Sequence, residues 1–220
     1  MNLTRFELKD LIFRTLKDIK RVSRGAGDIF YADVANVDIS DVYNLLSEYR
    51  KRRTDTIKKE TAKKLSAGAE LLLIYALSEL GYDFKLPLQY TDDENGKLYL
   101  TDFKGVYFNL SHSGTMVACV VCKNECGIDI ESEREENPAI ADKYFTDREK
   151  KLLSEKRYTF TQIWVRKEAV AKADGRGIKA GLKNIDTSGD TLSLSGSEYR
   201  LYDIQTDLNG YNMAVAIRQT

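Results

Sequence analysis

Five residues near the middle of the chain, Gly127-Ile128-Asp129-Ile130-Glu131, set the strongest constraint on its fold. Apolar and acidic side chains alternate, and a β-strand sends every second side chain to the same face. Ile128 and Ile130 therefore need cover from other parts of the chain, while Asp129 and Glu131 share the opposite face. Two carboxylates side by side repel each other unless a cation lies between them. Hard oxygen donors suit Mg²⁺, which one or two carboxylates commonly hold together with substrate phosphates. An ordinary exposed strand edge would also explain Asp-x-Glu, so the rest of the chain has to decide.

The chain has 220 residues, 42% apolar and 31% charged, which is enough for one large or two small folded units. Lys plus Arg equals Asp plus Glu at 34 each, a balance that argues against a general nucleic-acid binder. No apolar run approaches the ~20 residues of a membrane span. Met1-Asn2-Leu3-Thr4-Arg5 lacks the apolar core of a secretion signal. Three cysteines, an odd number, suit a reducing compartment better than a disulfide framework. The expectation is a cytoplasmic protein with neither membrane nor nucleic acid as partner.

Thr4 and Glu7 have capping-box spacing, and Phe6, Leu11, Ile12, Leu16 and Ile19 recur at helical intervals. Residues 1–26 thus form an N-terminal extension with an amphipathic helix, Ser23 to Gly27 being a linker. Phe30 to Val34 is the first strand. Ser40 caps a helix with Val42, Leu45, Leu46 and Tyr49 on its stripe, running into Arg50-Lys51-Arg52-Arg53. That basic run is either a solvated face or a grip on phosphate. A long helix is expected from about Lys59 to Leu80, ended by Gly81. Asp93-Glu94-Asn95-Gly96 is a hairpin turn. Val106 to Leu110 is a strand that Ser111 to Gly114 ends, and Met116 to Cys122 is a buried strand leading into the acidic one. Thr146 and Glu149 open a short helix, and a further helix from about Thr159 to Ala173 stops at Gly175-Arg176-Gly177. Three antiparallel strands follow. The order implies two coarsely similar halves, 27–113 and 114–220.

Trp164, Glu168 and Lys172 are four apart and share one helical face. A Glu four residues before a Lys is commonly a surface pair. Beside Asp129 and Glu131, however, Glu168 would supply a third metal ligand. His112, the only histidine, sits at a strand end, where Ser111 and Ser113 would suit a phosphate-binding corner. Cys119, Cys122 and Cys126 fit buried apolar packing better than zinc, because the odd spacing of the first two sends them to opposite strand faces.

Asn109-Leu110-Ser111-His112-Ser113, then Gly127 to Glu131, then Trp164 to Gly177 occur in that order. Together they resemble the 4′-phosphopantetheinyl transferases of the surfactin-synthetase-activating type, from about Ile29 to the C-terminus. The resemblance implies an α+β fold of two pseudo-twofold halves with the active site between them. It implies an enzyme that moves phosphopantetheine from coenzyme A to a serine of an apo acyl or peptidyl carrier protein, releasing adenosine 3′,5′-bisphosphate. Asp129, Glu131 and Glu168 would hold Mg²⁺, or Mn²⁺ in its place. Glu168 would act as general base, and Lys172 would contact the phosphates and steady the leaving group. Ser111 and His112 would bind the nucleotide. Lys97, after Gly96, would sit near the phosphates or adenine, although Leu98 stands where the family usually has proline. By position, Arg52 would grip the 3′-phosphate with Arg50 and Lys64 as helpers. Lys150 and Lys151, with Tyr144 and Phe145, would face the carrier, and a monomer is expected. The alternatives are another Mg²⁺-dependent phosphoryl-transfer enzyme or hydrolase acting on coenzyme A or a nucleotide, and a non-catalytic carrier-binding module.

Overall fold

The computed structural model describes residues 3–176 and 181–220, so Gly177 lies outside the described residues. The fold is α+β, built on two four-stranded antiparallel sheets. The first sheet takes β1 (Lys17–Arg24), β2 (Gly27–Asp33), β6 (Met116–Cys122) and β5 (Tyr107–Ser113), in that spatial order. The second takes β7 (Cys126–Ser132), β10 (Tyr211–Arg218), β9 (Ser197–Asp203) and β8 (Thr191–Leu194). In each half, the strand before a long helix pairs with the last strand, which pairs with the one before it. That rule gives β2-β6-β5 around α4 (Glu60–Glu79) and β7-β10-β9 around α7 (Phe160–Asp174).

Burial explains the layering. β6 is apolar along its whole length, so both of its faces are covered. Cys119 and Val121 face the core under α4, whereas Cys122, Ile128 and Ile130 face a second core shared by the two sheets. Cys119, Cys122 and Cys126 are buried free thiols in this packing. Each long helix lies close to its sheet through one glycine. A Cβ on Gly68 of α4 would come within 2.3 Å of Val34, and one on Gly127 of β7 within 2.1 Å of the Ala169 carbonyl of α7.

Several local expectations hold. Thr4 and Thr146 each close a capping box, for α1 (Arg5–Thr15) and α6 (Asp147–Ser154), and Thr159, expected only as a helix start, closes a third for α7. Gly81 and Gly175 take positive φ just after α4 and α7. The Asp93–Gly96 turn joins β3 (Tyr90–Asp92) to β4 (Leu98–Leu100).

Other expectations need correction. Residues 17–24 form β1 rather than the end of a helix and a linker, and the chain turns at 25–26. A bulge between Lys17 and Lys20, where Asp18 takes positive φ, leaves Ile19 and Val22 half-buried at an odd spacing. The alternation that would announce a strand is therefore missing. β6 pairs with β2 and β5 in the first sheet, and the chain passes to the second sheet at 123–125. The helix expected at Ser40 is split into α2 (Ile39–Val42), a 3₁₀ turn and α3 (Glu48–Thr56), capped by Asp38 and Ser47. Pro138 starts α5 (Pro138–Tyr144), capped by Asn137. Phe145 is fully buried against Phe160 and offers no docking surface, while Lys150 lies near Asp142 and Asp147. No helix among the described residues is long and apolar enough to cross a membrane.

Candidate active site

The two sheets meet along a seam where β5 and β7 run side by side. Three side chains of β5 take the place of a backbone ladder. The Ile128 N–H donates to Asn109 Oδ1 at 3.1 Å, Ile130 N–H to Ser111 Oγ at 3.4 Å and Ser132 N–H to Ser113 Oγ at 3.2 Å. The constant separation of 19 residues shows that the two edges run parallel. Ser111 and Ser113 therefore belong to the strand and do not form the loop corner expected from the sequence.

The same hydroxyls orient the acidic pair. Ser111 donates to Asp129 Oδ1 at 2.7 Å and Ser113 to Glu131 Oε2 at 2.7 Å. Lys172 reaches down from α7 and donates to Asp129 Oδ1 at 2.6 Å, Ser111 Oγ at 3.0 Å and the Ile128 carbonyl at 3.1 Å. Arg134 neutralises Glu131 at 2.6 Å. The close approach at Gly127 is what lets α7 bring Glu168 and Lys172 over this strand. Burial holds the Glu168 carboxyl above the usual range, and the charges of Asp129 and Glu131 add to that while Lys172 opposes it.

Among the described residues, no three acidic, histidine or cysteine side chains are gathered closely enough to ligate one ion. Asp129, Glu131 and Glu168 are thus linked by charge without forming a ready-made cage. Their chemistry nevertheless fits a hard cation. Asp129 Oδ2 is buried without a hydrogen-bond partner, and a divalent ion would relieve the repulsion that raises Glu168.

Beside the acidic group opens a cleft of about 310 Å³ between α7 on one side and α3 and the β3–β4 turn on the other. His112, Lys97 and Lys172 line it. Burial lowers the His112 pKa, and the nearby charges of Lys172, Arg53 and Arg50 lower it further. The positive charges of Lys172, Arg53 and Arg50 around His112 would attract an anion. Ser111 sits behind this wall, buried and committed to Asp129 and Lys172. Arg52 and Lys64 are not among the lining residues. The Arg52 Nε–H donates to the Glu48 carbonyl at 3.2 Å, and Lys64 donates to the Ala35 carbonyl at 2.8 Å.

The cations that α3 turns toward the cleft are Arg53 and Arg50, with Tyr49 beside them. Helical phase explains the shift. Tyr49 and Arg53 share the cleft side, Arg50 and Thr54 the buried side, and Glu48 and Arg52 the outside. The i, i+4 pair Tyr49/Arg53 was the available signal. Arg50 is fixed by buried Glu70 at 3.1 Å, and Ser47 donates to the same carboxylate through its N–H and its hydroxyl.

Residues 125–216, the segment that holds β7, α7 and the last three strands, match the model of the 4′-phosphopantetheinyl transferase superfamily. The chain is 33% identical over 123 residues to the 4′-phosphopantetheinyl transferase psf-1 of Bacillus pumilus, a match covering 52% of each protein. It is 29% identical over 141 residues to a 4′-phosphopantetheinyl transferase of Bacillus subtilis, covering 62% of each. Against the transferase Sfp of Bacillus subtilis (strain 168) it is 31% identical over 103 residues, covering 44% of this chain and 46% of the relative. The chain spans about half the length of the first of these relatives.

Proposed function

We propose that this chain transfers the 4′-phosphopantetheine group of coenzyme A to a serine hydroxyl of an apo acyl or peptidyl carrier protein, releasing adenosine 3′,5′-bisphosphate. The observation that carries this reading is the convergence of Lys172 of α7, Ser111 of β5 and Asp129 of β7 at the seam, beside a cationic cleft. Its match to named transferases supports the reaction class.

Asp129, Glu131 and Glu168 would hold Mg²⁺, which would supply Lewis-acid neutralisation of phosphate charge. Transfer of this kind depends on positioning and charge neutralisation. His112, Arg53 and Arg50 bind the anionic nucleotide end, and the hairpin turn forms the facing wall. Glu168 takes the proton of the carrier serine as the serine oxygen bonds to the pantetheine phosphorus. The bond from that phosphorus to the adenosine bisphosphate oxygen breaks, and Lys172 stabilises the charge left there.

The test is intact-mass analysis of several apo carriers incubated with the protein, coenzyme A and Mg²⁺. A phosphopantetheine adduct that requires the carrier serine is expected. Coenzyme A consumption without any carrier adduct would instead assign a hydrolase.

A further inference from the structure

We infer that Lys97 is a latch that positions one wall of the cleft, rather than a ligand of the cofactor's phosphates. The inference rests on the coenzyme A reading above. The Lys97 side chain is 6% exposed and forms an ion pair with Glu125, itself 20% exposed. Its ammonium also donates to the Ala173 carbonyl at 2.8 Å and stands 5.9 Å from the centre of the Tyr99 ring. Tyr99 in turn donates to Glu125 Oε1 at 3.3 Å. An ammonium has three protons, and the Glu125 and Ala173 bonds already use two of them.

The partners come from three separate parts of the fold. Lys97 and Tyr99 belong to the β3–β4 hairpin of the first half. Glu125 lies in the link between the sheets, where its own carbonyl accepts from Arg218 N–H at 2.8 Å. Ala173 lies in the last turn of α7, where carbonyls lack helical partners and carry partial negative charge. The turn is already braced internally, because Asp93 Oδ1 accepts from the N–H groups of Asn95 at 2.9 Å and Lys97 at 3.0 Å. The hairpin therefore moves as a unit, and the latch fixes that unit against the end of α7. Asn95, Gly96 and Leu98 line the cleft, so this contact sets the distance between its walls. Gly175 leaves little slack, since a Cβ there would lie 3.3 Å from Lys97 Cδ.

Glu125→Gln separates the two roles. A latch that loses its anion loosens the wall, so the KM for coenzyme A should rise about tenfold, in line with loss of one charge-assisted hydrogen bond. The kcat should stay within about twofold, because the acidic group, Glu168 and Lys172 are untouched. Hydrogen exchange of the amides in residues 93–99 should quicken. If Lys97 were a phosphate ligand restrained by Glu125, the same variant would free it and the KM would hold or fall. An unchanged or lower KM, or unchanged exchange in the hairpin, overturns the latch. A wild-type protein that fails to bind coenzyme A by calorimetry refutes the cofactor reading instead, and hairpin exchange alone then decides the latch.

Discussion

Replacing Gly127 by alanine puts the geometry of the site to a direct test. Glycine weakens a strand, so on backbone grounds alone Gly127→Ala should stabilise the protein by about 0.5–1 kcal/mol. The structure reverses that sign. The new Cβ would lie 2.1 Å from the Ala169 carbonyl oxygen and 2.4 Å from the Ala173 nitrogen, both helix backbone atoms that no rotamer change can move. Ordinary contact begins at 3.4 Å, so α7 would have to retreat by about 1.3 Å. Overpacking of this kind typically costs about 1–3 kcal/mol. For a chain of this size that corresponds to a fall in Tm of roughly 2–12 °C. The functional cost should be larger, because Glu168 and Lys172 ride on the displaced helix. A misplacement of about 1 Å can lower a rate about 100-fold. Urea unfolding and carrier-transfer kinetics read the two effects separately. A Gly127→Ala protein as stable and as active as wild type would refute the claim that this close approach builds the site.

Other outcomes follow from the same contacts. Lys167 and Glu149 are fully buried and paired at 2.6 Å, and Glu149 also accepts from the Thr187 N–H and hydroxyl. Lys167→Met should therefore cost about 3–5 kcal/mol in urea unfolding, and a cost below about 1 kcal/mol would show that the pair is dispensable. The single histidine allows its titration to be followed by NMR without ambiguity, and the His112 midpoint should lie below the ordinary 6.5. Because its folded pKa is depressed, its contribution to stability is complete above pH 6.5 and is lost as pH falls through the folded value. Adding adenosine 3′,5′-bisphosphate should move that midpoint upward, and a midpoint that does not respond would separate His112 from the anion site. Asp129→Ala and Glu168→Ala should each nearly abolish transfer while cooperative unfolding persists, and full activity in either would remove that residue from the mechanism.

What could be seen in the sequence was whatever local spacing encodes. The alternation of Ile128 and Ile130 with Asp129 and Glu131 placed β7, and threonine capping boxes placed α1 and α6. The four-residue spacing of Trp164, Glu168 and Lys172 placed one face of α7. Features set by distant partners were hidden. Arg50 resembles its neighbours Arg52 and Arg53 until Glu70, twenty positions later, turns out to be buried beneath it. Lys97 reads as a free cation because Glu125 and Ala173 lie 28 and 76 residues away. β1 was missed for a different reason, since its bulge erases the alternation that marks a strand.

The seam explains why a site forms where two halves meet. Within a strand, the N–H and C=O of one residue point to the same side. Ile128 and Ile130 turn those groups toward β5, so a continuous sheet would have consumed all of them in a backbone ladder. Here asparagine and serine side chains take the N–H groups and leave the Ile128 carbonyl to accept Lys172. The exchange satisfies the N–H groups on this edge of β7, which would otherwise invite pairing with another chain. It also ties the seam hydroxyls to Asp129 and Glu131, so the contacts that join the two sheets are the ones that aim the carboxylates. Closure of the fold and orientation of the acidic pair therefore depend on the same side chains. A backbone-paired seam would have joined the halves equally well, but it would have left Asp129 without the Ser111 hydroxyl and Lys172 without two of its three acceptors.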